Sequence, residues 1–135
     1  DKAVAEAIVA DYRRLRRDAG AGLDRLDIED LHDLRKRVIT HRHQLAFLAA
    51  LAEGDAAAKL RKREHRAKLL NDAIGGHRDL DMAVAYLRTL EAPKIAGARD
   101  ALTAAARRRQ AQLLETAVAL GDEVMRRTPK RLLRG

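Results

Sequence analysis

The stretch Leu31-His32-Asp33-Leu34-Arg35-Lys36-Arg37-Val38-Ile39-Thr40-His41-Arg42-His43-Gln44-Leu45 decides the fold class of this chain. Its apolar residues Leu31, Leu34, Val38 and Leu45, continued by Leu48, return at helical steps and not at the alternating steps of a strand. Asp27 stands at the N-cap position with Asp30 three residues on, so this helix is expected to begin just after Asp27 and to stop around Glu53-Gly54. Ala, Leu, Arg, Glu and Lys dominate on both sides of it and β-branched runs are scarce, which predicts helix throughout.

Working outward, a first helix runs from near the N-terminus to about Ala19, with Val4, Ile8, Tyr12 and Leu15 on one face and Gly20-Ala21-Gly22 ending it. A third helix is capped by Asp55, buries Leu60, Ala67, Leu70 and Ile74, and is expected to break at Gly75-Gly76. A shorter helical piece follows Asp79, with Leu80, Ala83, Tyr86, Leu87 and Leu90 periodic. Pro93 suits the first turn of a fourth long helix reaching about Arg127, and Thr128-Pro129 opens a short basic tail, Lys130 to Gly135. Short loops make neighbours antiparallel, so the expectation is an all-α, up-and-down four-helix bundle with short extra segments, one domain over 1–135.

The charge is as informative as the pattern. Against 20 acids stand 28 Lys and Arg, a formal net charge of +8, which concentrates anions around the chain. Between Asp33 and Glu53 no acid occurs, and His32, Arg35, Lys36, Arg42 and His43 fall within about a third of the helix circumference. Such a face offers a cationic group every ~5.4 Å along the axis. The next helix repeats the bias, with Lys59, Arg61, Lys62, Arg63, Arg66 and Lys68 against the single acid Glu64. Two such rows on adjacent helices predict a trough that contacts several phosphates at once, with arginine adding bidentate geometry. For any one residue a solvated basic face is the plainer reading; the two rows together point to binding.

Among the histidines, His41 projects to the apolar side and reads as a core residue with one satisfied nitrogen. His32 and His43 lie on the basic face, where anion binding would favour their protonation. His65 reads as exposed, and His77 lies in the glycine-rich break, where a loop role and a ligand role stand equal. Tyr12, Phe47 and Tyr86 are the whole aromatic set, too few to stack nucleic-acid bases in the usual way. No cysteine is present, so thiolate chemistry is excluded. The longest apolar run, Leu45 to Ala52, is far short of a membrane span and no signal-peptide pattern stands at the N-terminus, so a soluble, cytoplasmic location is expected.

Catalysis has no visible carrier. Glu29-x-x-His32 has the spacing of a dinuclear carboxylate site, but no second copy exists and Arg35 and Lys36 would repel a divalent cation. His32-Asp33 alone lacks the further ligands of a metal phosphohydrolase, and no glycine-rich phosphate loop or nucleophile elbow occurs. The expectation is a non-enzyme without metal or cofactor.

The segment from Leu31 to Val38 resembles the signature of the conserved histidine α-helical domain, CHAD, a helix reading roughly Leu-His-x-x-Arg-Lys-Arg-Val. Tyr12 and Arg16 resemble the Tyr-x-x-x-Arg of the preceding helix, and Ile74 to Leu80 looks like the family's Leu-Gly-x-x-Arg-Asp-Leu turn. Ala119 to Gly121 through Pro129-Lys130 and Arg134 is similar to its closing helix. The resemblance implies binding of inorganic polyphosphate in a basic trough, often beside a triphosphatase domain or on polyphosphate granules, with His32, Arg35, Lys36 and Arg42 joined by Arg16 and Arg78. The charge rows add His43, Lys59, Arg63 and Arg66. CHAD domains usually comprise two similar halves; this chain looks like the C-terminal one, which implies a companion half-domain or a homodimer. Ile39 and Thr40 depart from the pattern where basic or polar residues are frequent. Two alternatives stay open: a nucleic-acid-binding basic module, and a structural docking half-domain without a ligand.

Overall fold

The computed structural model describes residues 1–91 and 93–134, and in it the chain folds as four antiparallel helices around one apolar core. Helix α1 (Lys2–Ala19) is capped by the Asp1 carboxylate, which accepts from the Ala3 N–H at 2.8 Å, and it ends where Gly20 takes φ 58°. Only glycine adopts that left-handed conformation without steric cost. Ile8, Tyr12, Leu15 and Ala19 form its buried stripe. Val4, expected on that stripe, is exposed. Asp11–Gln44 and Asp18–Arg37 fix the antiparallel register with the next helix, and this register brings Val4 level with Leu51, itself exposed, at the open end of the pair.

Helix α2 (Ile28–Leu51) starts as read from the sequence: the Asp27 carboxylate accepts from the Asp30 N–H at 2.8 Å. Its buried residues are Leu31, Leu34, Val38, His41, Leu45 and Ala49, with Leu48 packed at the edge of the core.

Helix α3 (Gly54–Arg88) corrects three expectations at once. Asp55 lies inside its first turn and Glu53 is the cap residue, without a side-chain hydrogen bond. The chain does not break at Gly75-Gly76, and His77 and Asp79 continue the same helix of 35 residues. The reason is size rather than backbone freedom. A Cβ at Gly75 would come within 3.2 Å of Arg35 Nε, and one at Gly76 within 3.1 Å of Leu113. The pair thins the helix where a guanidinium from one side and a leucine from the other press in. Beyond it Leu80, Leu87 and Leu90 of the expected stripe are half-buried, while Ala83 and Tyr86 are exposed and Val84 takes the buried position.

A short 3-10 turn, Pro93–Ile95, precedes α4 (Ala96–Val124), and a second, Pro129–Arg131, follows it. The fourth helix thus starts after the proline turn and stops short of Arg127. The final segment closes the bundle: Leu132 is fully buried, and the Tyr12 hydroxyl donates to the Arg127 carbonyl at 2.7 Å and to that of Val124 at 3.4 Å. Helix C-termini leave such carbonyls without partners, and a buried phenol is a natural donor for them.

Arg35 reaches Asn71 and, two turns along α2, Arg42 reaches Glu64 two turns back along α3. In this register α2 begins level with Arg78, so among the described helices the remainder of α3 pairs with α4. That arm is held by Asp81–Arg107 at 2.9 Å and by Gln110, whose side chain donates to the His77 carbonyl at 3.0 Å. Met82, Tyr86 and Leu102 are exposed on it. Among the described residues no helix is long and apolar enough to cross a membrane.

Candidate functional site

The ten candidate residues part into separate surfaces. Along the α2–α3 seam, Arg35 is half-buried, with Nε donating to the Asn71 carbonyl at 3.2 Å. The bare backbone of Gly75 is what lets its guanidinium lie there. Arg42 stands 3.8 Å from the Glu64 carboxylate, its Nε buried without a hydrogen-bond partner. His32 is half-buried at the start of the same seam, and its Nδ1 likewise lacks a partner. Arg78 is half-buried one turn past the point level with His32. Lys36 is exposed and faces the other way, 3.8 Å from Asp33, into a recess it shares with Asp18, Asp30 and Arg37. His43 is exposed. Arg16 is half-buried beside the end of α4, in a recess that includes Gly121, Asp122 and Met125.

The acid-free run of α2 is therefore not acid-free in three dimensions. Asp18 of α1 meets Arg37, and Glu64 of α3 meets Arg42. Asp30 is crowded enough by Asp27, and less by burial and Asp33, that its carboxyl is raised above the usual range.

The second row of the sequence reading does converge. Lys59, Arg63 and Arg66 of α3 join Lys62, and Arg126 and Arg127 at the end of α4 face them across a concavity of about 310 Å³. Among the described residues Glu123 is its one carboxylate and Val124 its apolar wall. From α2 only His41 contributes. The expected trough shared by both rows is thus not what packing produces: Arg35 and Arg42 meet α3 at Asn71 and Glu64, about 150° around that helix from the Lys59, Lys62 and Arg66 face.

Each wall of this pit has a structural cause. Arg63 is half-buried and donates to the Leu132 carbonyl at 3.1 Å. Burial holds its guanidinium below the ordinary range, and Arg127 pushes it the same way, against a smaller opposing effect of Tyr12. Arg66 Nε lies 3.5 Å from Glu123, and Arg127 donates to the Arg134 carbonyl at 3.1 Å. His41 is part of the lining, 3% exposed, with its ring 5.0 Å from that of Tyr12. Burial, and then the Arg63 charge, lower its pKa from 6.5 to about 4, so the ring is neutral near pH 7. The core placement read from the sequence holds, but its Nδ1 is buried without a partner.

Sequence reasoning left Lys62 out of the binding set and missed Arg126 and Arg127. A signal existed: two arginines beyond a helix end, before Thr-Pro, sit where cations complement the helix dipole. Six cations face one carboxylate here, a formal excess of five positive charges within one concavity. Like charges gathered this closely repel unless an anion lies among them.

The model of the CHAD domain family matches residues 1–88, which takes in α1, α2 and the whole of α3. The likeness noted for the closing helix falls outside the matched residues. No curated protein and no solved structure matches the chain.

Proposed function

The chain belongs to the CHAD domain family, and from that premise we propose that it binds inorganic polyphosphate without turning it over. The observation that carries this reading is the pit, where Lys59, Lys62, Arg63, Arg66, Arg126 and Arg127 converge with, among the described residues, a single carboxylate. Arginine forks and lysine ammonium groups match phosphate oxygens, and the recessed walls strengthen each contact by limiting solvent. The half-buried Arg35, Arg42 and Arg78 along the α2–α3 seam, with His32 beside them, give a long polymer a second strip of basic groups beyond the pit. A nucleic-acid ligand gains no stacking platform there, since Tyr12 is buried and the His41 ring in the pit's lining is itself only 3% exposed. The reading places the protein in the cytoplasm.

The experiment is a titration with long-chain polyphosphate at several salt concentrations. With five or six phosphate charges met by cations, counterion release lowers affinity roughly one hundred- to three hundredfold between about 50 and 200 mM salt. Undetectable binding, or binding indifferent to salt, overturns the proposal. A second reading, docking to a companion half-domain or to another copy, is favoured by Met82, Tyr86 and Leu102 exposed on the projecting arm. Sedimentation of the chain as a monomer at all concentrations removes the homodimer.

A further inference from the structure

We propose that the pit takes the end of a phosphate chain, roughly its last three phosphates, and not a run of internal phosphates passing through. The inference rests on the polyphosphate reading and adds which part of the polymer is recognised.

The first ground is that the pit is closed along its length. At one end Arg66 crosses from α3 to Glu123 of α4 at 3.5 Å. At the other, Arg63 and Arg127 donate to the Leu132 and Arg134 carbonyls of the final segment, both at 3.1 Å, and so stand between the pit and the neighbouring recess lined by Leu132, Leu133 and Arg134. A threaded polymer would have to break one of these closures, whereas a chain end enters from the open side and leaves both intact. The second ground is size. A volume of about 310 Å³ lies at the low end of small-ligand sites.

Charge is the third ground. An internal phosphate carries one negative charge, while a terminal phosphoryl group carries about −1.5 to −2 near neutral pH. The formal excess of five positive charges is met most closely by a terminal group with its neighbours. The 3%-exposed His41 is part of the pit's lining, so its ring reports a phosphate seated deep in the pit and not a polymer lying across the rim.

The test compares three probes on the full chain by calorimetry, with the His41 ring nitrogens followed by NMR: linear tripolyphosphate, cyclic trimetaphosphate, which has no end, and long polyphosphate with free or amidated ends. End capture predicts that tripolyphosphate shifts the His41 resonances, and that trimetaphosphate and the end-blocked polymer bind at least about tenfold more weakly than their free-ended counterparts. Equal binding of free and blocked polymer, with His41 unmoved by tripolyphosphate, overturns the inference and leaves polyphosphate binding standing. Tripolyphosphate binding at His41 without any binding of the long polymer would instead overturn the polyphosphate reading and keep the pit as a seat for short oligophosphates. If no probe binds, both are wrong.

Discussion

His41 makes the stability of this protein depend on pH in a way that can be isolated. Buried and beside Arg63, it holds a pKa of about 4, against 6.5 for an unconstrained histidine. The folded-state value is depressed, so between those limits the unfolded chain takes up a proton that the folded chain refuses. Stability is therefore full above about pH 6.5 and falls as pH drops towards 4, by about 3 kcal/mol over the window. His77 is also lowered, chiefly by burial, and adds in the same direction. Asp81, lowered chiefly by its hydrogen bond to Arg107, contributes stability lost only as pH falls below about 3.8, outside the window. The perturbation that separates His41 from these is His41→Gln, close in volume and without a proton to gain. Urea unfolding at about pH 7 and about pH 4.5 gives the slopes, and the wild type is expected to lose about 2–3 kcal/mol more than the variant between them. Equal losses would show that His41 titrates normally in the fold, and the neutral floor assigned to the pit would go with it.

Other substitutions probe how the pit is held. Tyr12→Phe removes the donor to the Arg127 carbonyl and is expected to cost about 1 kcal/mol in urea unfolding. Leu132→Ala empties a buried position that anchors the final segment, with an expected loss of about 2–4 kcal/mol and a lower melting temperature. Gly76→Val places a branched side chain where a single Cβ already comes within 3.1 Å of Leu113, and is expected to destabilise by about 1–3 kcal/mol. Thermal melts that leave Gly76→Val at or above wild type would show that α3 and α4 are not closely packed there.

The helices of this chain were legible because apolar spacing and capping residues act locally: Asp27 caps α2 through Asp30, and Gly20 ends α1. Gly75-Gly76 was misread because glycine signals both helix ends and close packing, and only the partners, Arg35 and Leu113, tell the two apart. Charge runs were legible as composition but not as sites. Glu64 and Asp18 answer α2 cations from other helices, and Arg126 and Arg127 complete a pit with residues sixty positions earlier only through the antiparallel turn of α3 into α4. The buried placement of His41 followed from helical phase; its unpartnered nitrogen did not, because that depends on what every neighbouring helix offers.

Whether location or mere net charge binds the polymer is decided by comparing two double variants that remove the same charge. Lys62→Gln with Arg126→Gln empties opposite walls of the pit, while Arg108→Gln with Arg109→Gln neutralises exposed positions on α4 away from it. Polyphosphate affinity at one fixed, physiological salt concentration is expected to fall by about tenfold to a hundredfold in the first and by no more than about twofold in the second. Equal losses in the two, or none in the first, would contradict a binding seat between α3 and the end of α4.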